Sequence, residues 1–180
     1  IDTVIEVMGG SHPAYEFTVS ALKAKKNVIS SNKEVIANFQ SQGVTVKIIS
    51  GDHAHTVSSI AKRVGVKDAE KYLSCENISP EELEKCAEEY AVFGRVTPEQ
   101  KVLLVKKLRS LGHTVAMTGD GVNDTLALKE SNCAIAMADG SEMARKVSQI
   151  VLLDSDFATL PDVVREGRRC INNVRMSASL

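Results

Sequence analysis

The chain has 180 residues, with 22 Lys and Arg set against 23 Asp and Glu for a formal net charge of -1, and with four Phe, three Tyr and no Trp. That balance excludes a general nucleic-acid binder, whose phosphate contacts need an excess of Lys and Arg, and no apolar run approaches the ~18 to 20 residues of a membrane span. A hydrophobic fraction of 43% supplies one sizeable core, so the expectation is a single domain, at most with a small appendage, soluble as given.

In chain order, short β-branched and apolar runs alternate with stretches of helical period. Residues 3–8 read as a strand, 14–25 as a helix, 27–30 as a strand and 33–40 as a helix. A strand over 45–50 and a helix over 55–64 follow. Residues 68–89 are acidic and weakly periodic, which predicts a peripheral strand and a helix with a solvated face. That helix, 80–89, opens on Ser79 and Pro80 with Glu82 three residues after the cap, the pattern of a capping box. A strand over 91–95 leads to a helix over 98–111, where Thr97, Pro98 and Gln100 repeat the same logic and Gly112 supplies the stop. Strands at 114–118, 134–138 and 149–153 then alternate with helices at 124–131 and 141–146. Continuous apolar strands separated by helices imply an α/β fold: a parallel sheet covered by helices on both faces, in three layers. Cys75, Cys86, Cys133 and Cys170 are widely spaced, with no C-x-x-C pair and no neighbouring His at ligand spacing, so they read as reduced structural thiols.

Ligands of an open parallel sheet sit beyond the carboxyl ends of its strands, and three features there carry chemistry. The strand over 114–118 runs into Thr118-Gly119-Asp120-Gly121-Val122-Asn123-Asp124. Asp120 and Asp124 flank a glycine turn that lets both carboxylates converge, with the Asn123 amide between them, and such oxygen donors suit a hard cation such as Mg²⁺. The same string also reads as an Asx turn in which Asp124 caps a helix. Ser50-Gly51-Asp52 ends another strand just before a helix, as an anion site made of a hydroxyl and free backbone N–H groups, or as a capped turn. Lys101 lies in the first turn of the helix opened by Thr97; a helix lysine by itself usually faces solvent. Together, an anion-binding hydroxyl, a lysine and a carboxylate pair on strand ends match the needs of phosphoryl transfer. No G-x-x-x-x-G-K-[ST] loop occurs.

The strings VKIISGD, FGRVTPEQK, MTGDGVNDTLALKES and IVLLDSDFATLPDVVREGRRCINNVR resemble the phosphorylation domain of cation-transporting P-type ATPases, in the haloacid-dehalogenase-like superfamily, from about Phe39 to Leu180. The resemblance implies a Rossmann-like fold and an ATP-driven, Mg²⁺-dependent cycle through a phosphoaspartate. It implies Asp120 and Asp124 at the metal, Thr118, Gly119 and Asn123 beside the phosphoryl group, and Lys101 neutralising that group. Ser50, Gly51 and Asp52 would touch phosphate and nucleotide. The partners implied are a phosphate or nucleotide ligand and the pump's membrane and nucleotide-binding domains, with this domain on the cytoplasmic side. The tail would lead into a membrane span with Arg165, Arg168, Arg169 and Arg175 near the surface; the residue pattern alone gives an exposed helical face. Two departures stand out. Ser50 replaces the commoner Thr, and His53-Ala54-His55 follows where Asn is frequent; two histidines without a third ligand make no metal site. The family's nucleophile string D-K-T-G-T does not occur in the 180 residues.

Residues 1 to about 37 instead resemble the homoserine dehydrogenases, in V-I-E-V-M-G-G, Pro13-Ala14, the A-L-x-A-x-K run and Ser31-Asn32-Lys33-Glu34. That resemblance implies an interior β-α-β piece of a nicotinamide-binding domain, with Asn32 and Lys33 near the nicotinamide. The expected organisation is therefore a dehydrogenase-like segment over 1–38 joined to a phosphorylation-domain-like core over 39–180. Strand 3–8 is expected to take the place of the first core strand, with Met8, Gly9 and Gly10 where the nucleophile belongs and Glu6 two residues behind. The functional expectation is a pump segment that keeps the Mg²⁺ and phosphate site but does not turn over alone. The alternatives are a nicotinamide-dependent dehydrogenase module and a catalytically silent structural module.

Overall fold

A computed structural model of the chain describes residues 3–6, 36–153 and 159–178. The expected helix at 14–25, the strand at 27–30 and Met8, Gly9 and Gly10 lie outside the described residues. The elements are β1 (Thr3–Glu6), α1 (36–41), β2 (Thr45–Ile49), α2 (Ala54–Arg63), β3 (Tyr72–Ser74), α3 (Pro80–Cys86) and β4 (Val92–Gly94). They continue as α4 (Pro98–Ser110), β5 (Val115–Gly119), a 3₁₀ turn (Val122–Asp124), α5 (Thr125–Glu130), β6 (Cys133–Met137), α6 (Glu142–Val147), β7 (Ile150–Leu152) and α7 (Leu160–Ala178).

Among the described residues, seven strands form one sheet in the order β3-β4-β2-β1-β5-β6-β7, and every pairing described is parallel. β1 lies at the centre, with Thr3 in register with Thr45 on one side and Val115 on the other. The chain therefore winds outward in both directions from β1, and a crevice opens at the carboxyl ends where the winding reverses. Residues 3–6 occupy the central place that the sequence reading reserves for a first core strand.

The alternation of side chains along each strand divides the core into two layers. Val46 and Ile48 of β2, Ala116 of β5 and Ile135 of β6 pack with Phe39, Val57, Ala61, Leu160 and Val164. Ile49, Phe93, Val115, Met117 and Ala134 pack on the other face with Leu83, Leu104, Val105, Leu108 and Leu128. Both predicted capping boxes are formed. Ser79 Oγ accepts from the Glu82 amide at 3.3 Å, and Thr97 Oγ1 accepts from the Gln100 amide at 3.3 Å, each with the reciprocal bond. Each such cap contributes roughly 1 kcal/mol by satisfying amides that the helix leaves open.

Two elements differ from the sequence reading. α3 stops at Cys86 rather than at 89, because the Glu88 and Tyr90 carbonyls turn inward to accept from Lys47 Nζ at 2.9 and 2.7 Å. The arginine-rich tail is the longest helix described, yet only Leu160, Pro161 and Val164 are buried. Along it, Arg165 pairs with Asp162 at 2.7 Å and Arg169 with Glu166 at 3.0 Å on an exposed face. Arg168 instead reaches back to the Gln42 carbonyl at 2.6 Å. No described helix is long and apolar enough to cross a membrane. All four cysteines are free, and burial pushes the Cys75 thiol up to about 12, which fits an inert structural residue.

Candidate functional site

β5 ends in Thr118 and Gly119, both buried, and the chain then turns through Asp120 and Gly121 into the 3₁₀ turn that carries Asn123 and Asp124. The turn is tight because the Asp124 amide donates to the Gly121 carbonyl at 3.2 Å while the Gly121 amide donates to Asp124 Oδ2 at 3.2 Å. Glycine is required at 119: a Cβ there would stand 2.8 Å from the Asp124 Cβ and 3.2 Å from its Cγ. The G-D-G spacing thus folds the Asp124 side chain back against the strand end.

Lys101 does not face solvent. It is 5% exposed, and its Nζ donates to Asp124 Oδ1 at 2.7 Å, with Asp124 itself only 1% exposed. The capping box at Thr97 starts α4 three residues earlier, which places Lys101 on the buried side of its first turn together with Leu104, Val105 and Leu108. A buried charge pair of this kind persists only when each member is compensated. Here the carboxylate has one oxygen on the ammonium and the other on a backbone amide.

Asp120 is half-buried. Burial first, and then the neighbouring Asp124 charge, raise its carboxyl above the ordinary aspartate value, while a backbone hydrogen bond and Lys101 act in the opposite sense. An open cleft of about 310 Å³ is lined by Lys101, Asp120, Asn123 and Asp124, and also by Asp139, Gly140 and Ser141. The last three come from the β6–α6 turn, which the sequence reading did not single out; its only signal was a small-residue break between an apolar strand and a short helix. The Ser141 amide donates to the Asp120 carbonyl at 2.7 Å. This second loop is therefore stitched to the first.

Ser50, Gly51 and Asp52 do not line that cleft. They follow β2, on the far side of β1 from β5, at the same carboxyl edge of the sheet. Ser50 is fully buried and its Oγ accepts from the Asp52 amide at 3.1 Å, which is the capped-turn geometry. The Arg95 amide donates to the Asp52 carbonyl at 2.8 Å and the Val96 amide to the Ser50 carbonyl at 3.0 Å, so the β4 loop holds the turn in place. His53 and His55 are exposed, and His55 meets Tyr72 edge-on with ring centroids 6.0 Å apart. Among the described residues no group of three or more His, Cys, Asp or Glu could hold a metal ion by itself.

Two carboxylates and an amide form a hard-oxygen donor set. Mg²⁺ is commonly held by one or two carboxylates, with water and phosphate oxygens completing its shell. The residues present fit that ion, with Asp120 the carboxylate that lines the cleft without being tied to Lys101.

The model of the haloacid dehalogenase-like hydrolases matches residues 5–132. A probable cation-transporting ATPase, exp7, of Streptococcus pneumoniae serotype 4 is 51% identical over 141 residues, covering 78% of this chain and 18% of that protein. The calcium-transporting ATPase CtpE of Mycolicibacterium smegmatis is 51% identical over 142 residues, covering 79% of this chain and 18% of that protein. The chain thus spans less than a fifth of the length of these relatives. A crystal structure of a zinc-transporting PIB-type ATPase superposes with a TM-score of 0.64 at 24% identity, over 81% of this chain and 20% of that one. At that identity the likeness speaks to fold alone.

Proposed function

Because the chain belongs to the haloacid dehalogenase-like hydrolase family and matches the corresponding domain of cation-transporting P-type ATPases, we propose that it is the Mg²⁺- and phosphate-binding portion of such a pump. The observation that carries this reading is the buried Lys101–Asp124 contact of 2.7 Å in one cleft with Asp120 and Asn123. A bound Mg²⁺ would supply charge neutralisation of the phosphoryl oxygens.

The chain's own residues have separate tasks. Asp120 and Asp124 hold the cation, and Lys101 fixes the Asp124 carboxylate while offering its ammonium charge to a phosphate in the cleft. Thr118 and Gly119 form the strand end beside that phosphate, and the Asn123 amide orients an oxygen. Gly51 and Asp52, exposed beyond β2, touch phosphate or nucleotide from that side, while buried Ser50 holds their turn through its Oγ. Such an arrangement stabilises charge that develops on a transferring phosphoryl group, using groups already in place. The string D-K-T-G-T is absent from the 180 residues, so this chain binds Mg²⁺ and phosphate without forming an acyl phosphate. In the whole pump the cycle would use ATP and drive cation movement, with membrane and nucleotide-binding domains as partners.

The dehydrogenase reading is not favoured, since the matching family model begins at residue 5, inside the segment on which that reading rests. Thermal unfolding tests the proposal. Mg²⁺ with a phosphate analogue at ten times its dissociation constant should stabilise the chain by about 1.4 kcal/mol, and Asp120→Asn should abolish the response. No response in the parent chain refutes ligand binding. A hydroxylamine-sensitive acyl phosphate after incubation with labelled acetyl phosphate or ATP refutes the assignment of no turnover.

A further inference from the structure

The amino ends of β2 and β4 frame a second open cleft of about 310 Å³, at the sheet edge opposite to the one that carries Asp120. Gly43, Thr45 and Ala91 line it, together with Lys47, Lys67 and Glu88. Lys47 projects from β2 and is only 5% exposed. Its Nζ donates to the Glu88 and Tyr90 carbonyls at 2.9 and 2.7 Å, and the Phe93 ring centroid lies 5.9 Å away. The Mg²⁺ and phosphate chemistry makes no use of this lysine.

A lysine amine held in this way is suited to act as a nucleophile. Two carbonyl acceptors match the two N–H groups of a neutral amine and leave its lone pair over, whereas an ammonium carries a third N–H. Burial lowers the amine to about 8, against the opposing effect of the Glu88 charge. At about pH 8, half of Lys47 is then neutral, compared with roughly one part in 300 of a lysine at the ordinary 10.5. Acylation also removes the charge that burial disfavours, so the neutral amide is accommodated here more readily than the ammonium.

We propose that Lys47 is an acylation site, which takes a small activated acyl group, such as the acetyl of an acyl phosphate, through the cleft at the amino ends of β2 and β4. Lys47 Nζ attacks the acyl carbonyl carbon. The N–C bond forms, the C–O bond to phosphate breaks, phosphate departs with the electron pair, and one amine proton passes to solvent. The amide that results has one N–H in place of two, so the 88–90 segment loses one of its two contacts with Nζ. Low exposure restricts the site to donors that fit the cleft.

The test treats the 180-residue chain with limiting acetyl phosphate from about pH 7 to about pH 10 and maps acetyl groups by peptide mass spectrometry, with exposed Lys62 and Lys129 as references. At about pH 8, Lys47 should acetylate about tenfold faster than either reference, a preference smaller than the ratio of neutral fractions because its amine is less basic and its access narrow. Its rate should level off above about pH 8 while theirs climbs toward 10.5. A succinimidyl ester of biotin, too bulky for the cleft, should reverse the order, and unfolding in urea should bring all three lysines to similar rates. Lys47 reacting no faster than Lys62 with acetyl phosphate, or labelled ahead of it by the bulky ester, overturns the inference, as does a preference that survives urea.

Discussion

Replacing Lys101 by Met leaves the Asp124 carboxylate, 1% exposed, without its counter-charge. Removing one partner of a buried ion pair costs about 3–5 kcal/mol. Asp124 keeps the Gly121 amide at 3.2 Å, and the cleft admits water on one side, so the lower end of that range, about 3 kcal/mol, applies. For a chain of this size that is a fall in melting temperature of roughly 6–12 °C. Asp124→Asn is milder, about 1–2 kcal/mol, because an amide oxygen still accepts from the lysine and the flexible ammonium can swing toward the cleft. In the double variant Lys101→Met/Asp124→Asn neither charge is stranded, and its cost should fall short of the sum of the singles by about 2 kcal/mol. Equilibrium denaturation in urea at about pH 7, with no Mg²⁺ or phosphate, isolates this from ligand binding. A loss below about 1 kcal/mol for Lys101→Met, or strictly additive singles, would refute the reasoning that the pair is buried and mutually compensating.

Gly119→Ala places a Cβ 2.8 Å from the Asp124 Cβ; the expected loss is about 1–3 kcal/mol, with weakened Mg²⁺ binding read by calorimetry. Thr125 Oγ1 is buried without a hydrogen-bond partner, so Thr125→Val, which keeps the shape and removes the stranded hydroxyl, should be neutral or stabilising by up to about 1 kcal/mol in thermal unfolding. Burial lowers the Lys47 amine to about 8, opposed by the Glu88 charge. Between that value and the ordinary 10.5 the unfolded chain holds the proton and the folded chain does not. Stability attributable to Lys47 should therefore rise from about pH 8 to 10.5 by at most about 3 kcal/mol and stay flat below about pH 8. The difference between the parent and Lys47→Met in urea titrations across that range gives the measurement, and a difference that falls with pH would contradict the burial.

Much of the fold was legible locally. The capping residues Ser79 and Thr97 placed the starts of α3 and α4 because a side-chain oxygen three residues ahead of an open amide acts whatever the rest of the chain does. Apolar strand runs marked β2, β5 and β6 to within a residue, since strands buried on both faces must be continuously apolar. The end of α3 was not legible. It depends on Lys47, which lies some forty residues earlier and takes the Glu88 and Tyr90 carbonyls for itself.

For the site, sequence by itself determined the chemistry available: paired aspartates across a glycine turn, a lysine one helix away, and a hydroxyl-glycine-aspartate turn. Those follow from residue type and short spacing. Tertiary structure alone decided which of them meet. It turned Lys101 inward, 23 positions from Asp124 and 2.7 Å away, left Ser50 on the other side of β1, and brought Asp139 beside Asp120. Such contacts are set by strand order and by how closely Gly140 lets its loop approach the Asp120 backbone, and no local pattern encodes either.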